Sequence, residues 1–329
     1  MSAPTLPGTR GAASGPPVRR SLLRGLGWLV VRQHRTAVLC VLGLTLLCGA
    51  WIVYERHEML QALASYRPGR EGSAYSLQDS PRFGYLSALL NGLPFLLALF
   101  VGAPLIAADQ ENGTARLVTT QSVTRRQWLA AKLALAFGLA LVPGVLLSAL
   151  FTWWWRPYRS YFPSKWAEAP VFDITGPVMP ALLLFFTVAG ITIGVLVRRV
   201  LPAMVVTFVT AAVTLAAWNV LHLRTRLAPT RTATYPLEGE LPARLAESYE
   251  LDRWVGSADG QLYGWGSCAE ATEQAQNACI KEKGIVDNVV EYLDFGQLGA
   301  MQWTAAGLLL AATALLTVFV LGWVSRRPL

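Results

Sequence analysis

The chain has 329 residues, 53% of them hydrophobic and only 15% charged, with a mean hydropathy of +0.41. That balance excludes an ordinary soluble globular protein and reads as a polytopic membrane protein. The formal charge of +8 would point to nucleic acid if it lay on a soluble face. The basic residues instead gather in short stretches beside apolar segments, which favours membrane topology and no nucleic-acid partner.

Residues 1–19 are rich in Pro, Gly, Ser, Ala and Thr without an apolar period, the composition of a disordered tail. Over residues 20–36, helical spacing gathers Leu22, Leu23, Leu26, Leu29 and Val30 on one arc and Arg20, Arg24, Arg32 and Arg35 opposite. This pattern predicts an amphipathic helix in the inner headgroup layer, with an irregular basic lead-in as the alternative because Gly25 and Gly27 weaken a helix. The run RRSLLR from Arg19 resembles a twin-arginine export signal. Arg32, His34 and Arg35 interrupt its apolar continuation, however, and the next run is long enough to remain an anchor.

Apolar segments follow at Ala37–Tyr54, Leu86–Ala108, Trp128–Phe151, Gly176–Val197, Val200–Val220 and Met301–Val324, each near the ~20 residues that cross a bilayer. The expected fold is therefore an all-α polytopic membrane protein of about six transmembrane helices. Five spans lie within 37–220, and the sixth lies within 301–329 with a short tail. With both termini cytoplasmic, the inner parts carry 14 basic residues against two acids, Asp109 and Glu111, and the outer parts carry 14 against 18. The positive-inside rule selects this orientation.

The outer aromatic run Trp153, Trp154, Trp155, Tyr158, Tyr161 and Phe162 reads as an interfacial anchoring belt. Residues 221–300 are too long for a connector and are expected to form a small extracellular cap with short helices, notably near Ala269–Lys283. Cys268 and Cys279 lie there, where disulfides persist, while Cys40 and Cys48 lie in the first span. On one continuous helix Cys268 and Cys279 would be about 16 Å apart, so a bond requires a turn between them. Separately placed thiols are the alternative.

The chain contains no phosphate loop, metal-binding H-E-x-x-H helix or nucleophile elbow, so it is read as having no catalytic residues, metal or cofactor of its own. The spans are read as almost free of ionisable groups, which argues against a proton-driven pump. Gly190 and Gly194 give a small-residue spacing suited to helix packing within the bundle. Asn91, Asn219, His222 and Gln302 are polar residues near span ends and weak candidates for a substrate path.

The polar stretch from Asp109 to Lys132 is ordered in a different way. Asp109 and Glu111 end the second span, Gly113 permits a sharp turn, and Thr114 is placed to cap a stub helix over Ala115–Thr120. Thr124 and Gln127 form a capping box for the third span. A surface helix held between two rigid spans, within 109–127, suits docking to a cytoplasmic partner.

The run E-N-G-T-A-R-L-V-T-T-Q-S-V-T-R-R-Q-W-L-A-A-K, Glu111 to Lys132, resembles the signature of type-2 permease subunits of bacterial ATP-binding-cassette transporters, particularly of actinomycete type. The six-span layout, N-terminal helix and large outer segment extend the likeness over most of the chain. Gln121-Ser122-Val123-Thr124 departs from the family's Pro followed by a small hydroxyl residue, and Asp109 stands where Glu is common.

The resemblance implies a plasma-membrane permease paired with a second copy or homologue. Two copies of a separate ATPase would carry ATP and magnesium. Glu111, Gly113, Thr114, Arg116 and Leu117 would then form the ATPase contact, with Leu117 as apolar knob, Arg116 as ion partner, and Gly113 and Thr114 setting shape. The scarcity of charge in the spans points to export of an amphipathic or apolar compound, with lipid around the bundle. The rival reading is a non-transporting immunity or sensory protein that binds a peptide or envelope component through its outer segment.

Overall fold

The computed structural model describes residues 26–65, 81–113, 124–162 and 165–326. Among them, six helices are long and apolar enough to cross a membrane. The chain opens with α1 (Leu26–Gln33) and α2 (Arg35–Ser65). The second span joins α3 (Pro81–Leu97) to α4 (Ala103–Glu111) through a π-helical stretch, Ala98–Gly102. Then come α5 (Arg125–Trp155), α6 (Val178–Val197) and α7 (Val200–Val220), and α9 (Leu298–Arg326) closes the bundle.

The π stretch has a local cause. Pro104 has no N–H, and its ring crowds the carbonyl four residues back, so the helix widens just ahead of it. Ala103 N–H donates to Ala98 O across the wider turn. On α6, Gly190 lies against this stretch so closely that a Cβ there would stand 2.5 Å from Ala98 O, and one on Gly102 would stand 2.5 Å from Thr187 O. The Gly190 and Gly194 spacing thus serves packing inside the bundle. The fourth span is its centre: 67% of its apolar window is buried, against 17% for the fifth.

The aromatic run at the end of α5 departs from the expected belt. Trp154, Trp155 and Phe162 are buried, and only Trp153 and Tyr161 among the large rings are well exposed. Phe162 packs edge-on to Trp154 (4.9 Å between ring centroids) and Phe83 (5.4 Å). A run of aromatic residues at a span end serves either water–lipid anchoring or a buried joint, because the rings are apolar with a polar tip. Here Trp154 and Phe162 pack on each other and on Phe83 and Phe151 of the bundle, and Trp155 packs on Phe295, which follows the last strand.

A second unit corrects the all-α expectation. Between α7 and α9 lies a four-stranded antiparallel sheet in the order β1-β4-β2-β3. Its strands are β1 (Arg231–Pro236), β2 (Tyr249–Ser257), β3 (Leu262–Gly264) and β4 (Ile285–Leu293). Residues of β1 and β4 alternate between buried and open faces, the period-2 pattern of a half-buried strand. Ala233 and Tyr235 pack with Val290, Tyr292 and Leu245 in a core of their own.

One helix belongs to this unit, α8 (Glu273–Glu282), inside the range expected to be helical and capped by the Thr272 hydroxyl, which accepts from Ala275 N–H. Cys268, in the loop after β3, is bonded to Cys279 on α8, with their Cα atoms 5.6 Å apart. The chain turns between them at Thr272.

Candidate functional site

At the hinge end of the bundle the helix termini are tied by polar side chains. Lys132, fully buried on α5, donates to Leu105 O (2.7 Å) and pairs with Asp109 Oδ2 on α4. The other carboxylate oxygen, Oδ1, accepts from Gln33 Nε2 at the end of α1 (2.9 Å). The Trp128 ring lies 5.1 Å from the ammonium. One node therefore joins the N-terminal helix to the second and third spans. A buried charge survives only when paired and hydrogen-bonded, and both conditions hold here.

His34 sits beside this node. Its ring is held below the ordinary histidine range, first by burial and then by the Lys132 charge, with Asp109 acting the other way.

Glu111 makes a second tie. Its Oε2 accepts from Val200 N–H (2.8 Å), the first residue of α7. An unsatisfied amide at a helix N-terminus favours a carboxylate both as acceptor and through the helix dipole. The second and fifth spans are thereby joined at the same end. Gly113 has φ +68°, a left-handed conformation that suits glycine and turns the chain off α4.

On the far side of the hinge, Thr124 Oγ1 accepts from Gln127 N–H (3.3 Å) while Gln127 Oε1 accepts from Thr124 N–H (3.1 Å). This is the expected capping box. Of the expected partner-contact residues, Glu111 and Gly113 are brought to this end. Thr114, Arg116 and Leu117, with the stub helix, lie outside the described residues.

Sequence reasoning missed the node. It counted Lys132 and Asp109 among the cytoplasmic hinge charges, whereas the two form a buried pair. Removing both leaves thirteen inner basic residues against one acid, so the orientation argument keeps its sign. The spans are also less free of charge than their composition implies, because Lys132 lies inside the third. A lysine and an aspartate at the facing ends of consecutive spans were the available signal. Gln33 carried none.

The polar residues near the other span ends serve structure. Gln302 Nε2 donates to Phe172 O, Thr175 O and Thr175 Oγ1. Asn91 donates to Ser87 O, and Asn219 Oδ1 accepts from Arg224. His222 is exposed at the end of α7, with φ 48°. Among the described residues no group of three or more His, Cys, Asp or Glu residues is arranged to hold a metal ion.

Residues 42–223 match the family described as ABC-2 membrane transporter related. The match takes in more than half of the chain, including five spans and the hinge. The chain belongs to this family. It is accordingly a permease-type, multi-pass membrane subunit of an ABC transporter, and membership implies an ABC ATPase as its partner in general. No curated protein and no solved structure matches it.

Proposed function

We propose that this subunit exports an amphipathic or apolar compound across a bacterial plasma membrane, driven by two copies of a cytoplasmic ATPase that bind ATP and magnesium. It would work as a dimer with itself or a homologous permease, with its termini inside and the sheet unit outside. The ATPase would grip the hinge through Glu111, Gly113, Thr114, Arg116 and Leu117, so that closure of the nucleotide-bound pair is passed into the bundle.

The observation that carries this reading is the polar node beneath the hinge. Asp109, Lys132 and Gln33 bind the N-terminal helix and two spans together at the point where the hinge leaves α4, and Glu111 adds the fifth span. A load applied to the hinge then reaches four elements at once. The Cys268–Cys279 bond supports an outward position for the sheet unit, because disulfides persist in oxidising compartments.

The test is co-purification. Tagged wild-type protein is expected to bring down an ATPase in its native membrane, and Leu117→Asp to lose at least tenfold of it while the permease level stays unchanged. Wild-type protein that brings down no ATPase would end the proposal.

A further inference from the structure

The chain between β3 and β4 has little packing to hold it down. Every residue from Ala269 to Ala278 is exposed, and α8 buries none of its ten residues. Its apolar side chains are Ala275, Ala278, Cys279 and Ile280, too few to form a packing stripe. A helix this short is marginal on its own in water. Gly266 (φ +89°) and Gly284 (φ +61°) bracket the segment in left-handed turns, a conformation that suits glycine.

Beneath α8 the sheet is apolar. Val255, Cys268 and Ile285 are buried, with Leu237, Tyr263, Cys279 and Ile280 packed against them. A cavity of about 200 Å³ opens there, lined by Leu237, Val255, Ile280 and Ile285 together with the exposed Trp265. Cys268 belongs to this floor and Cys279 to α8, so the disulfide ties the helix to the surface it covers. Besides the bond, Ile280 rests on the floor, and Lys283 Nζ donates to Ser267 O (3.1 Å). The bond is also placed to exchange. Cys279 is half-buried, whereas Cys268 is 8% exposed. Cys279 Sγ lies 3.7 Å from Ser267 O, the same oxygen that accepts from Lys283. An ammonium near the sulfur favours the thiolate through which exchange passes, and exposed disulfides belong to the labile class.

We propose that the Cys268–Cys279 bond is a redox latch on α8, opened by an external dithiol such as a thiol–disulfide oxidoreductase presents. One thiolate of the dithiol attacks the more exposed Cys279 sulfur and expels Cys268. The second thiol then resolves the mixed disulfide, and Lys283 stabilises Cys279 as it leaves. Both cysteines end as thiols carrying the two protons of the dithiol, which is oxidised to a disulfide. With the bond open, α8 loses its covalent tie and comes away between the two glycines, uncovering Leu237, Val255 and Ile285. The sheet stays, because β2 and β4 pair along their length and β1 and β4 share a separate core. The oxidised chain therefore covers the apolar floor and the reduced chain presents it. This rests on the outward position proposed for the sheet unit, where the bond persists until a dithiol is delivered. Exchange itself is independent of any ATPase.

The experiment uses the full chain in phosphatidylcholine nanodiscs, prepared without reductant and compared before and after dithiothreitol. Differential alkylation with mass mapping separates Cys268 and Cys279 from the free Cys40 and Cys48, and hydrogen exchange follows α8. Dithiothreitol is expected to open the bond in the folded chain and to raise exchange over 273–282 by about tenfold or more, while β2 and β4 stay protected. The double variant Cys268→Ser with Cys279→Ser should show the same fast exchange in α8 without any reductant.

A bond that opens only in denaturant would overturn the proposal, as would an α8 that keeps its protection once both thiols are free. Loss of protection in β2 and β4 together with α8 would overturn it too, because the bond would then be a staple of the whole unit. Failure to capture an ATPase would undo the exporter reading and leave the latch in place.

Discussion

Two buried ion pairs close the bundle at opposite ends, and they are built differently. At the hinge end the cation is Lys132, a compact charge whose contacts are a single carboxylate oxygen, one carbonyl and a ring face. At the sheet end it is Arg224, whose planar fork grips both oxygens of Asp173 (Nε to Oδ1 3.0 Å, second terminal nitrogen to Oδ2 2.5 Å). Asn219 Oδ1 accepts from its remaining terminal nitrogen (3.0 Å). The arginine pair locks the approach to the fourth span against the exit of the fifth in one geometry. The lysine pair leaves Asp109 an oxygen for Gln33 and so reaches a third element. A bidentate fork resists rotation, whereas a point charge on a flexible stem tolerates it. The geometry of the far pair thus resists rotation, and that of the hinge pair tolerates it.

Mutations can separate the two pairs. The largest effect is expected from Lys132→Met, which strands a buried carboxylate and should cost about 3–5 kcal/mol. Thermal unfolding in detergent measures it. The double variant Lys132→Met with Asp109→Asn should recover much of that loss, since no bare charge remains. Arg224→Lys keeps the charge and removes the fork, and should lower stability by about 1–3 kcal/mol. The conservative exchange in the other direction, Lys132→Arg, tests whether the hinge end needs a compact ammonium: it should impair transport more than it impairs stability.

A smaller change follows from Gln33→Ala, about 1 kcal/mol, which releases only the N-terminal helix. Hydrogen exchange should rise in α1 and stay unchanged around Asp173. The smallest effect is a pH dependence. Burial holds the folded His34 ring below its ordinary value, so protonation favours the unfolded chain. Stability is complete above the histidine range and declines as pH falls through about 6.5. His34→Gln should remove that slope, and Arg224→Lys should leave it.

The spans were legible because each is an apolar run of bilayer length, and the capping box because Thr124 and Gln127 stand three apart before such a run. The sheet unit was not, although β1 and β4 alternate as strands do. Polar residues fill the open face, β2 is broken by irregular pairing around Asp252 and Ser257, and the helical stretch around α8 drew the reading toward helices. The two ion pairs escaped for a different reason. Asp109 and Lys132 flank a polar hinge and resemble solvent-exposed loop charges, and Asp173 and Arg224 are 51 positions apart. Local pattern reveals periodicity, but a charge's partner is chosen by the fold. Glu111 shows the same limit: its carboxylate looked like a docking residue, and it also holds the start of the fifth span.

On the proposed function, force enters the protein at the hinge and not at the sheet unit. This is tested most directly by placing a photo-cross-linking amino acid at Leu117 in one variant and at Trp265, an exposed residue of the sheet unit, in another, both in native membranes. Illumination is expected to join the Leu117 variant to an ATP-binding-cassette ATPase and to leave the Trp265 variant free of it. An ATPase captured from Trp265, or none captured from Leu117, would contradict entry of force at the hinge.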